Sequence, residues 1–156
     1  MTTAVDISQF AGSDPVLEIA VEVFAAMIDG EPGLVNPWYG DAPALAHEIH
    51  AWVDVHGPNP GRVLVSTEEE TAQLLARALL GMGADEPVSD ADLVDALGEV
   101  ANVVGGNVKA LVAAPHALGL PVVDRTRPAS APENLLHLLR LDWRGRLLEV
   151  GLWTLP

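Results

Sequence analysis

The order of elements along this chain predicts an α+β domain: a largely antiparallel β-sheet with about three α-helices packed on one face. Three observations carry that expectation. Segments near 15–29, 68–81 and 89–109 have helical periodicity, with start or stop signals at their ends. Strand-like runs come in pairs joined by Gly- and Pro-rich turns, which favours antiparallel neighbours. At 156 residues, 49% of them hydrophobic, the chain is long enough for one real core, so 1–156 reads as one folded domain. Residues 1–13 read as a flexible N-terminus.

Asp14-Pro15 is an N-cap followed by proline in the first turn, opening a helix that runs to about Asp29. Gly30-Glu-Pro-Gly33 stops it, and 34–46, with Pro37, Gly40 and Pro43, reads as a loop. His47 to Val55 alternates as a strand with Ile49, Ala51, Val53 and Val55 on one face. Gly57-Pro-Asn-Pro-Gly61 is a turn, and Arg62 to Val65 a second strand. Ser66 or Thr67, followed by three glutamates, predicts a cap for a helix ending near Gly81 or Gly83. Ser89, with Asp92 three residues on, opens another helix in the same way. Leu120 to Val123 is a third strand, and Asp124 to Pro132 an exposed linker. Leu135–Leu141 and Leu147–Leu155 form a hairpin around Asp142-Trp-Arg-Gly145. No repeat of fixed period is visible.

The helix after Ser89 carries the chemistry. Leu93, Leu97, Val100, Val104, Val108 and Leu111 fall within about 80° of helical arc, a core-facing stripe. Opposite them, in an arc of about the same width, lie Asp95, Glu99, Asn102, Gly106 and Lys109. A carboxylate and a carboxamide three residues apart therefore project side by side. The helix also breaks local rules. Asp95 and Glu99 are like charges at i,i+4, which costs a few tenths of a kcal/mol. Gly98, Gly105 and Gly106 each cost about 1 kcal/mol relative to alanine. Gly98 and Gly105 share one edge, where the missing side chains would let another backbone come close. Local penalties gathered on one segment suit a functional site, although an ordinary amphipathic helix with a solvated outer face has the same pattern.

Charge and composition exclude several classes. Eight basic against 22 acidic residues give a formal charge of −14, which argues against nucleic acid and anionic membrane surfaces as partners. An acidic surface steers in a positively charged patch on a protein, or serves solubility alone. Without cysteine there are no disulfides, thiolate metal sites or thiol nucleophiles. The five histidines are scattered, so no metal site of the chain's own is expected. No apolar run reaches the ~18 residues of a membrane span. Met1-Thr-Thr-Ala-Val-Asp6 lacks a basic signal-peptide start, so the expected location is cytoplasmic.

The string Asp95, Gly98, Glu99, Asn102, Gly106 and Lys109 resembles, with every position filled, the signature helix of the CheC/CheX/FliY family. These are phosphatases of the chemotaxis response regulator CheY, whose motif is Asp-x-x-Gly-Glu-x-x-Asn-x-x-x-Gly-x-x-Lys. Val16–Met27 is similar to the family's first helix, Arg62–Ala72 to its strand leading into a helix, and His116–Val123 to the strand after the motif helix. The likeness covers most of the chain and is strongest to the CheX branch.

The resemblance implies a phosphatase acting on the aspartyl phosphate of a CheY-like receiver domain. Glu99 and Asn102 would be the catalytic pair, with Glu99 meeting the partner's phosphate-binding lysine. Asp95, Gly98, Gly106 and Lys109 would support the helix or touch the partner. No cofactor belongs to the chain itself, and Mg²⁺ is expected in the receiver domain. Homodimers are expected by analogy, through sheet edges. In the first helix Glu22 has Ala25 where a second asparagine would stand, so one active site per chain is expected, as in CheX. The alternative is a non-catalytic adaptor of the same fold that docks on a receiver domain. A motor-switch subunit fits less well with so short an N-terminal segment.

Overall fold

The computed structural model describes residues 14–112 and 115–156; the stretch 1–13, expected to be flexible, lies outside the described residues. Helix α1 (Pro15–Val23) starts at Asp14, whose Oδ1 accepts hydrogen bonds from the backbone N–H of Val16 (2.9 Å) and Leu17 (3.2 Å). The other oxygen of Asp14 lies 2.9 Å from His137 Nε2, tying the helix start to a distant strand. From Phe24 to Asp29 the helix widens into a π-helical turn, which ends at Gly30 with φ of 71°.

Strands β1 (Val35–Pro37), β2 (Glu48–His56) and β3 (Gly61–Glu68) precede α2 (Glu69–Leu80) and α3 (Asp90–Lys109). Two short strands, β4 (Ala117–Leu118) and β5 (Val122–Asp124), are followed by the long hairpin β6 (Leu135–Trp143) and β7 (Arg146–Thr154). Among the described residues, seven strands form one antiparallel sheet in the order β1-β6-β7-β3-β2-β4, with β5 also on β2. Ile49, Ala51, Val53, Val63, Val65, Val150, Leu152, Leu139, Leu141 and Trp143 alternate onto one face and build the core with the three helices. The predicted class therefore stands: α+β, antiparallel, helices on one face.

Several elements differ from expectation. The loop 34–46 contains β1, which pairs with β6 in the register Val35↔Trp143 to Pro37↔Leu141. Proline is tolerated there because an edge strand needs no outward donor. Ser66 and Thr67 are strand residues and cap nothing; Glu68 is the N-cap of α2 and makes no side-chain cap bond. Thr67 Oγ1 donates to Leu147 O at 2.8 Å, and Ser66 Oγ meets His50 Nδ1 at 2.8 Å, so both hydroxyls serve the sheet. The β6–β7 turn is Arg144-Gly145, both with positive φ, the form that follows the twist of a two-residue hairpin.

The segment from β5 to β6 must cross β2, β3 and β7, and it does so on the face away from the helices. Arg127 Nη2 meets Glu48 at 3.0 Å and Glu149 at 3.8 Å there. Beneath it His50 is almost fully buried, with Nδ1 on Ser66 and no hydrogen-bond partner for Nε2. Burial holds the His50 imidazole below its ordinary value, and Arg127 pushes it the same way. Earlier in the same segment, Arg125 Nη2 reaches Glu69 and Asp90, both at 2.7 Å. One guanidinium thus joins the first turns of α2 and α3 and holds the Glu69 carboxyl below its usual range.

Candidate active site on the third helix

Helix α3 is the central helix of its layer, resting on β2 and β3 and flanked by α1 and α2. Ser89 Oγ accepts from Asp92 N at 3.1 Å, with Asp90 and Asp92 in the first turn and Lys109 in the last, as the helix dipole favours. Leu93, Leu97, Val100, Val104 and Val108 are buried, and Leu111 packs half-buried against them. Ala96, Gly98, Ala101 and Gly105 are buried too, because neighbours close on both flanks of the helix.

The glycines show how tight that closure is. A Cβ on Gly105 would lie 2.2 Å from Val53 Cγ2, so only glycine lets α3 sit at this depth on β2. At Gly98 a Cβ would meet Pro121 at 3.5 Å, an ordinary contact. Side chains, rather than a backbone, occupy the space the glycines leave.

What remains in solvent is a narrow strip. Asp95 and Glu99 are exposed, while Asn102, Gly106 and Lys109 are half-buried. Glu99 and Asn102 stand one turn apart, with Asp95 a turn before Glu99 and Gly106 a turn after Asn102. Lys109 is about 15 Å along the axis from Glu99. Among the described residues, neither the Glu99 carboxylate nor the Asn102 carboxamide has a hydrogen-bond or ion-pair partner. Asp95 and Lys109 are equally uncommitted. The arginines, in contrast, are engaged: Arg62 with Asp54, Arg140 with Glu149, Arg144 with Asp29, and Arg77 with Glu86 O.

Asn107, whose place near the edge of the apolar stripe predicts a buried, hydrogen-bonded residue, is exposed and donates to Val103 O at 2.8 Å. The first helix corrects a second expectation. Helical spacing places Asp29 on the outer face with Glu18 and Glu22, yet its carboxylate is buried, accepting from Trp143 Nε1 (3.1 Å) and pairing with Arg144 (2.7 Å). Sequence reasoning also passed over Leu120, beside the strip and 88% exposed. The signal was a leucine between Gly119 and Pro121 in a segment read as a plain strand.

A cleft of about 500 Å³ lined by Trp38, Leu45, Glu68, Arg144 and Leu147 includes no residue of α3. No helix among the described residues is long and apolar enough to cross a membrane. Fold and strip together define a single antiparallel sheet covered by helices, the central one of which bears an uncommitted carboxylate and carboxamide side by side at its surface.

The family model for the chemotaxis phosphatase CheX matches residues 49–135, more than half of the chain. The chain belongs to the CheX family. Solved structures share its fold at low identity. CheX from Vibrio vulnificus is 15% identical, with a TM-score of 0.71 over 99% of this chain and 100% of the other. A CheC-like superfamily protein from Shewanella sp. PV-4 is 19% identical, with a TM-score of 0.67 over 91% and 96%. A CheX–CheY–BeF3–Mg²⁺ complex from Borrelia burgdorferi matches with 18% identity and a TM-score of 0.64, over 97% and 99%. No curated protein matches the chain.

Proposed function

We propose that this protein hydrolyses the aspartyl phosphate of a CheY-like response regulator by inserting the exposed strip of α3 into the receiver's active site. The observation that carries the reading is the pair Glu99 and Asn102. They stand side by side and uncommitted, on a helix pinned from beneath at Gly105 and at its first turn by Arg125. A free polar pair on a fixed support is ready to act on a partner and has nothing to do within its own fold.

The chemistry follows from the side chains. An aspartyl phosphate is already activated, and what its hydrolysis lacks is a water held in line behind phosphorus. Phosphoryl transfer passes through a loose transition state, so placing the nucleophile matters more than strong base catalysis. The Asn102 carboxamide is no base near neutral pH, but its oxygen accepts a hydrogen bond from water and fixes its orientation. Glu99 is the anchor, pairing with the lysine beside the receiver's phosphate in a charge-assisted bond that docking partly desolvates. The Mg²⁺ belongs to the receiver, where it neutralises charge on the phosphoryl oxygens. The net charge of −14 steers a basic rim toward the strip.

The test is acyl-phosphate loss from each response regulator of the same cell, with and without this protein. Accelerated loss from one regulator is expected, reduced about 100-fold or more in Asn102→Ala while binding stays close to that of the unmodified chain. No acceleration from any regulator shown to be phosphorylated would leave a docking module in place of an enzyme.

A further inference from the structure

Between β4 and β5 the edge of the sheet loses step. Ala117 and Leu118 pair with His56 and Val55, whereas Val122, Val123 and Asp124 pair with Trp52, Ala51 and His50. Three residues, Gly119-Leu120-Pro121, therefore stand opposite two, Asp54 and Val53. This is a β-bulge, held at its start by Gly119 N donating to Asp54 O at 2.8 Å. Leu118 lies 3.5 and 3.9 Å from where Cβ atoms on Gly105 and Gly106 would be, and Pro121 lies 3.5 Å from one on Gly98. The bulge thus runs alongside α3, past the turn that carries Glu99 and Asn102.

The residue put out at that level is Leu120, 88% exposed, with Pro121 beside it. A lone exposed leucine needs no explanation. A leucine thrown outward by a bulge, beside a free carboxylate and carboxamide, is a different matter, because bulges re-aim side chains next to working sites. We infer that Leu120 is the apolar docking contact for the receiver domain, seated on an apolar patch next to the phosphorylated aspartate. It determines how tightly the partner is held, and which one, and leaves the chemical step alone. The inference rests on the function proposed above.

An apolar contact of this kind is the same in ground and transition states, so its loss raises KM and leaves kcat in place. Two readouts separate this inference from the phosphatase reading. Binding is titrated with a receiver domain loaded with beryllium fluoride and Mg²⁺, and turnover with the phosphorylated receiver. Leu120→Ser is expected to weaken binding and raise KM about tenfold, with kcat changed less than about twofold. Leu120→Met should restore both, and Leu138→Ser, on the opposite face of the sheet, should alter neither. Unchanged binding in Leu120→Ser overturns the inference, and so does a fall in kcat at unchanged KM. A change in the oligomeric state of Leu120→Ser would also overturn it, by assigning the bulge to self-association. Binding without turnover would remove the phosphatase reading and keep the docking contact. If the intact protein binds no receiver, both fall.

Discussion

Helices α1 and α3 begin alike and end differently. Each starts with a side-chain cap, buries an apolar stripe against the same sheet, and shows solvent a pair of acids four residues apart: Glu18 and Glu22 on α1, Asp95 and Glu99 on α3. On α3 the regular winding continues for 20 residues, so Asn102 follows Glu99 at the spacing that sets their side chains together. On α1 the winding turns π-helical at Phe24, just after Glu22, and Ala25 stands where a carboxamide would be needed. The last acid of that helix, Asp29, is consumed in holding Trp143, which packs edge-on against Phe24 at 5.9 Å. One helix keeps a carboxylate and a carboxamide side by side and uncommitted in solvent; the other gives its last acid to its own core and has no carboxamide beside the acids it exposes.

Each helix can be disturbed separately. Gly105→Ala should have the largest effect, since the new Cβ meets a stiff β-branched side chain that a strand holds in place. We expect a loss of about 2 kcal/mol, read as a fall in Tm of about 5 °C, together with reduced turnover as α3 lifts from β2. Asp29→Ala comes next. It strands the buried Trp143 N–H and releases Arg144, costing about 1–2 kcal/mol in chemical denaturation while the activity of the folded protein is retained.

A smaller effect should appear with pH, through a group on the far face of the sheet. The folded value of His50 lies below the ordinary 6.5, so its contribution to stability is complete above that pH and is lost as pH falls through the folded value. Tm should therefore drop by a few degrees on acidification below about pH 6.5, and His50→Gln should flatten that slope. The smallest effect is expected of Ala25→Asn. Made in the Asn102→Ala background, it should restore no phosphate release, because the π-helical turn does not set residue 25 beside Glu22 as Asn102 sits beside Glu99. Restored turnover would show that the carboxamide alone had been missing.

How much of this was legible in the sequence depended on how local its causes are. The stripe of α3, its Ser89 cap and the Glu99–Asn102 spacing all follow from helical periodicity within one segment, and each could be read directly. Ser66 and Thr67 mislead because their surroundings copy a helix cap. What decides their state is pairing with β7, whose Leu147 takes the Thr67 hydroxyl from 80 residues away. Strand β1 escaped notice because it is three residues long and ends in proline. The bulge at Leu120 is a matter of register against β2, and register is invisible in either strand alone. Within the candidate site the polar pair was therefore readable and its apolar neighbour was not.

The margins of the sheet have a consequence of another kind. Among the described residues, one ends in β1, three residues long and closed by Pro37; the other is broken at Gly119–Pro121, with a second proline in the break. An unprotected strand edge is a template on which another molecule's backbone can add without limit. Here both templates are short and interrupted by a residue that cannot donate, and like molecules repel through their shared negative charge. Crowding this protein should therefore produce no open-ended stack of sheets, and a dimer joined through sheet edges, as the resemblance implies, has only these two short margins to use.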